Sequence, residues 1–94
     1  RILMTPAALN VEDFAQGKVR LFETRIRRKS VIARTPLKHL KLPHGVLAGL
    51  IFRDHRMIIP HGDDMFLPGD NAYFIGLPDM IDEFSQSLKV ILIS

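Results

Sequence analysis

The sequence has no cysteine, no tryptophan, a single tyrosine, and no apolar run near the roughly 18 residues that a membrane helix requires. Without thiols there is no disulfide framework and no thiolate zinc site, and the chain fits a reducing compartment. The first residues also lack the charged, apolar and small-residue succession of a secretion signal, so a cytosolic protein is expected. Aromatic residues make up 7% of the chain, which leaves few platforms for stacking bases. What remains is 94 residues, 47% hydrophobic and 24% charged, the composition of one ordinary domain with a modest core. The sequence opens on Arg1 rather than methionine, and a piece of a longer chain is expected.

The formal net charge of +3 conceals an asymmetry. Residues 18 to 41 hold nine of the thirteen basic groups and one acid, Glu23, whereas residues 63 to 83 hold six acids and no base. A basic half of this kind suits an acidic partner, a nucleic acid or an anionic surface, or else faces the acidic half across the fold or a dimer. The run Arg25-Ile26-Arg27-Arg28-Lys29 is the strongest nucleic-acid signal. With so few aromatics beside it, it reads as a solvated strand end or a partner-facing patch, and no nucleic acid is expected.

Along the chain, Pro6 and Gly17 bound a mixed segment in which Val11, Phe14 and Ala15 offer a short apolar face, read as a linker with at most one helical turn. Lys18 to Arg27 are strand formers whose alternation slips near Leu21, which predicts a bulge there or burial on both faces. Thr35 and Pro36 suit a helix cap and first helical position, so a short helix carrying Leu37 and Leu40 is expected to stop before Pro43. Val46 to Arg53 is continuously apolar, the pattern of a strand covered on both sides. Asp54 and His55 then turn the chain into a strand at Met57 to Ile59. Asn71 to Leu77 is a further strand. Leu77, Met80, Ile81, Phe84 and Leu88 form the stripe of an amphipathic helix, with Asp79, Asp82 and Glu83 near its positive end. Lys89 to Ser94 return to a strand pattern. The fold class is α+β: a small, mostly antiparallel sheet with a short helix after the first strand and an amphipathic helix near the C-terminus.

The histidines at 39, 44, 55 and 61 include no helical i, i+4 pair, and Asp63, Asp64 and Asp70 do not alternate as calcium ligands do, so no metal is expected. No serine lies in a nucleophile-elbow context, and the paired carboxylates occupy turn positions, where they more often bond the local backbone. No catalytic residue is assigned, and the chain is not expected to be an enzyme.

Several segments taken together resemble the C-terminal domain of the regulators of potassium conductance, known as TrkA-C or RCK_C. They are Ser30-Val31-Ile32-Ala33 after the first strand, Pro36 to Pro43, Ile51-Phe52-Arg53, Ile59-Pro60-His61-Gly62-Asp63-Asp64, and Leu67-Pro68-Gly69-Asp70. The resemblance covers Lys18 to Leu88. It implies residues 1–17 as a linker from a preceding nucleotide-binding domain, 18–88 as the regulatory domain, the first of two such C-terminal domains in a tandem subunit, and 89–94 as the truncated start of a following domain.

By that resemblance the chain is a cytosolic regulatory and dimerisation domain of a potassium uptake or cation transport system. It pairs as a homodimer and sits at the inner face of the membrane through a potassium transporter or channel subunit, whose gating it couples to ligand binding. NAD or ATP is expected only in neighbouring domains. The family glycine in the loop after the first strand is replaced by Arg34, and the arginine and asparagine associated with cyclic di-AMP have no counterpart, so cyclic di-AMP is not expected. The alternative is a small anionic-ligand sensor in another cytosolic complex, served by a basic edge at Arg34 and His44. The candidate ligand-binding residues are Val31, Ile32, Arg34, His44 and His61, the last as a group whose ordinary titration range reaches neutral pH.

Overall fold

The computed structural model describes residues 2–5, 9–88 and 90–93, with side chains for 9–88. The strands are β1 (Ile2–Thr5), β2 (Asn10–Phe14), β3 (Val19–Arg25), β4 (Val46–Arg53), β5 (Arg56–Ile58), β6 (Asn71–Gly76) and β7 (Val90–Ile93), and one α-helix, α1, spans Pro78–Ser87. Five strands form one antiparallel sheet in the order β2-β3-β6-β4-β5, and β1 pairs with β7 in a separate two-stranded ribbon. This is the expected α+β architecture. Pro6, Lys89 and Ser94, which figured in the sequence reading, lie outside the described residues.

β6 is central because it has the alternation that burial on one face demands. Ala72 and Phe74 point into the core at 0% exposure, while Asn71, Tyr73 and Ile75 point the other way and are half-buried. α1 lies on the inner face and adds Ile81 and Phe84. Phe74 meets Phe84 at 4.7 Å between ring centroids and Phe66 at 5.4 Å, so three aromatics from strand, helix and loop share one centre. Burying each such ring contributes about 1.5–3 kcal/mol.

Local chemistry sets the boundaries. Pro78 opens α1, where its missing N–H is no loss, and Leu77 accepts the first helical bond through its carbonyl from Ile81 N at 2.9 Å. Asp54 and His55 both have positive φ, 50° and 64°, which makes the β4–β5 connection a two-residue type I′ turn. Gly45 and Gly76 make the closest backbone approach. A Cβ on Gly76 would lie 2.0 Å from the Gly45 carbonyl oxygen, so only glycine fits where β4 starts beside the end of β6.

Three local expectations are corrected, and one alternative is decided. The segment expected to be coil with a helical turn contains β2, which pairs with β3 from Asn10↔Glu23 to Phe14↔Val19. β3 is unbulged, and its apparent slip follows the other reading, with Leu21 half-buried on the outer face while Phe22 and Thr24 are buried on the inner one. The irregularity lies instead in β4, between Ala48 and Leu50. β4 is covered on one side only: Val46 and Ile51 are buried, but Leu47 is 68% exposed. The expected short helix is a single 3-10 turn, Leu37–His39, with no side-chain cap from Thr35, because Pro36 is extended and the segment bonds across to another loop. Arg34 N, Leu37 N and Lys38 N donate to the carbonyls of Phe66, Asp64 and Gly62.

Arg20 ties the edge strand to the helix. Its guanidinium lies 2.7 Å from Asp13 of β2 and 2.6 Å from Asp82 of α1. The hydrogen bond from Arg20 holds the exposed Asp13 carboxyl below the usual carboxylate range.

Candidate functional site

The polar residues between Ile58 and Gly76 close turns. Asp64 Oδ2 accepts from the backbone N of His61 at 2.7 Å, and Asp63 pairs with Lys38 at 2.6 Å. Asp70, 1% exposed, accepts from Arg53 through both oxygens and from the backbone N of Leu67 at 2.8 Å. Arg53 Nη2 also donates to the Met65 carbonyl at 2.9 Å. The hydrogen bonds from Arg53 to Asp70 raise the guanidinium pKa still further. No group of three or more histidine, aspartate and glutamate side chains suited to a metal occurs among the described residues.

The five candidate residues occupy four separate places. Val31 and Ile32 line a groove of about 400 Å³ between the loop after β3, the Leu40–Pro43 segment and the outer side of α1 at Glu83 and Phe84. They differ in character, since Val31 is 77% exposed and Ile32, at 7%, belongs to the core. Arg34 is not part of that lining. Its φ is 66°, and its Nη1 turns back to the Arg28 carbonyl at 2.8 Å. His44 lies at the opposite end of α1, in a hollow with Gly17, Leu77, Pro78, Asp79 and Met80. His61 is exposed, with Nδ1 3.7 Å from Asp64. Arg34 therefore lines neither the Val31 groove nor the His44 hollow.

The sheet face opposite α1 is uncovered by any described element. Leu47, Phe52 and Met57 are exposed there, beside half-buried Leu21, Leu50, Tyr73 and Ile75. Arg25 Nε donates to Asn71 Oδ1 at 2.6 Å, and Asn71 Nδ2 donates to Glu23 Oε2 at 2.9 Å. Tyr73 is hydrogen-bonded to the same carboxylate. Burial first, and then Glu23, push its phenol above the ordinary tyrosine range.

With this geometry in view, the comparison with known proteins is decisive at the family level: the TrkA-C domain model matches residues 21–89, most of the chain. The chain belongs to the TrkA-C domain family. It is 35% identical over 85 residues to the Trk system potassium uptake protein TrkA homolog 1 of Methanosarcina mazei, covering 90% of this chain and 19% of that protein. Homolog 2 of the same organism is 34% identical over 77 residues, covering 82% and 17%. The chain thus spans about a fifth of the length of these curated relatives. A solved structure described as "Structure of RCK domain with cda" superposes with a TM-score of 0.64 at 25% identity, covering 72% of this chain and 96% of that one.

Membership gives the motif residues a physical meaning. In this TrkA-C domain Arg53 and Asp70, the ends of the two most recognisable motifs, form a pair of half-buried guanidinium and buried carboxylate that fixes β4 against the loop before β6. Arg34 holds the left-handed backbone that glycine adopts most easily. Sequence reasoning missed the network on the open face. The available signal was the alternation of Glu23, Arg25, Asn71 and Tyr73 on neighbouring strands, which becomes visible only with the β3–β6 register.

Proposed function

We propose that this TrkA-C domain is the regulatory and pairing module of a potassium uptake system, attached through its parent subunit to a membrane transporter whose activity it adjusts. The observation that carries the reading is Val31: a β-branched apolar residue, 77% exposed, beside an apolar groove in a loop otherwise anchored to the core. The kinship with Trk potassium uptake proteins supports the transport context. No described helix is long and apolar enough to cross a membrane.

Pairing through this region involves less of the Val31–Ala33 segment than its sequence suggests. Ile32 and Ala33 are buried at 7% and 9%, so the accessible part is Val31 with Leu40, Leu42 and Pro43. A second copy placing its own Val31 in this groove would form a twofold, self-complementary contact. Analytical ultracentrifugation tests the reading: the chain dimerises, and Val31→Asp shifts it to a monomer that stays folded by circular dichroism. In the intact subunit the same substitution alters potassium uptake. A strict monomer at high concentration, with uptake unaffected by Val31→Asp, rejects the proposal.

A further inference from the structure

The open sheet face carries a hollow of about 510 Å³ that neither the core nor the groove at Val31 involves. It lies where β3, β6 and β4 end together. Arg25, Asn71, Tyr73 and Phe52 form its floor, and the Asp54–His55 turn forms one wall. Its volume falls in the range of small-molecule sites, about 300–1,000 Å³.

Three features distinguish it from an ordinary surface depression. First, Arg25 is aimed. Asn71 must turn its oxygen toward Arg25 and its amide toward Glu23 to make both observed bonds, so the guanidinium is held by Nε at 2.6 Å. Its two terminal nitrogens have no ion-pair partner among the described residues. An oriented guanidinium with two free N–H edges suits an oxyanion. Second, Phe52 and Tyr73 meet edge to face at 5.9 Å and 64°, and Phe52 is 39% exposed. They supply an apolar wall beside the cation. Third, the turn places a histidine at φ 64°, a position that favours glycine and costs a β-carbon residue stability. Glycine would make the turn more easily, but only a side chain brings an imidazole to the wall.

We propose that this hollow is a binding site for a small phosphorylated ligand with a planar ring. The Arg25 terminal nitrogens and the His55 imidazole receive the phosphate, Phe52 and Tyr73 the ring, and Asp54 accepts from a hydroxyl or amino group. The site is independent of the pairing surface, and either one stands if the other fails.

Adenosine monophosphate and inorganic phosphate are suitable probes, titrated into the isotope-labelled 94-residue chain by NMR. The expected result is saturable, millimolar binding of adenosine monophosphate, with shifts at Phe52, His55, Asn71 and Tyr73, and weaker binding of phosphate alone. Arg25→Gln weakens the mononucleotide by about tenfold or more, and Arg25→Lys, which keeps the charge and loses the fork, falls between. His55→Gly separates structure from binding: it raises the melting temperature while weakening the ligand several-fold. The proposal is overturned if no saturable shift is seen, if the shifts map to the Val31 groove or the His44 hollow, or if folded Arg25→Gln binds as the parent does. Equal affinity for phosphate and mononucleotide overturns the assigned ligand class.

Discussion

Arg53 and Asp70 face each other as a two-pronged pair, Nε to Oδ1 and Nη2 to Oδ2, each at 2.8 Å, with the carboxylate 1% exposed. The pair joins β4 to the loop before β6 and holds the Leu67 amide and Met65 carbonyl in place. Removing Asp70 takes the partner from Arg53, whose side chain keeps 31% exposure to solvent. Asp70→Asn retains an oxygen for the Leu67 amide and is expected to lower unfolding stability by about 1–3 kcal/mol, and Asp70→Ala, which leaves that amide unpaired, by more. Urea denaturation measures both. A change below about 0.5 kcal/mol, the scale of an exposed surface pair, contradicts the role given to this contact.

The lone tyrosine gives a clean spectroscopic readout, because no tryptophan overlaps its phenolate band. Burial and the hydrogen bond to Glu23 raise the Tyr73 pKa. The folded chain therefore keeps its phenol proton at alkaline pH where the unfolded chain has lost it. This contribution to stability is complete below the unfolded value of about 10 and is lost as pH rises through the folded value. Absorbance titration should place the midpoint above about 10 in the folded chain and bring it down in Glu23→Gln, where the carboxylate is gone.

Val31 and Ile32 are neighbours with opposite expectations. Ile32→Ala empties part of the core and should cost about 2–4 kcal/mol in chemical denaturation. At dilutions where the chain is monomeric, Val31→Ala, at 77% exposure, should change stability by less than about 0.5 kcal/mol. If both substitutions destabilise the monomer alike, Val31 is packed within the chain itself and cannot serve as a pairing surface.

Two backbone positions respond differently. Gly76→Ala pushes a Cβ to 2.0 Å from the Gly45 oxygen, so the strands must separate, at a cost of about 1–3 kcal/mol or more. Arg34→Gly relieves a left-handed residue while giving up the bond to the Arg28 carbonyl, and should leave the melting temperature nearly unchanged. Thermal melts of the two variants check this contrast.

The turn-forming role of His61 to Asp70 and the stripe on α1 were legible in the sequence because glycine, proline and helical spacing act locally. The Asp54–His55 hairpin was equally clear, since two short apolar runs flank it. What escaped depended on partners far along the chain. β2 is exposed at all five positions and owes its existence to pairing with β3. Pro36 to His39 becomes a 3-10 turn because the loop at residues 62–66 takes its backbone donors. The candidate site residues were close in character but not in space, because nothing in composition says that opposite ends of α1 separate His44 from Val31.

The irregularity at Ala48–Leu50 carries a rule about length rather than identity. Before it, Val46 and Ala48 face the helix; after it, Ile51 and Arg53 do, so the one extra residue inverts odd and even for the rest of β4. A methyl group on Gly49 would meet the Tyr73 carbonyl at 3.7 Å and Ile75 Cγ2 at 4.0 Å, ordinary contacts, so Gly49→Ala is tolerable. Deleting Gly49 removes the extra residue itself, so Leu50 follows Ala48 directly, and Ile51 and Arg53 still face the helix. Adding a residue between Leu50 and Ile51 is a different kind of change. It would send Phe52 inward and swing Arg53 out to solvent, stranding Asp70 in the core, so that one codon gained here does the damage of several substitutions at once.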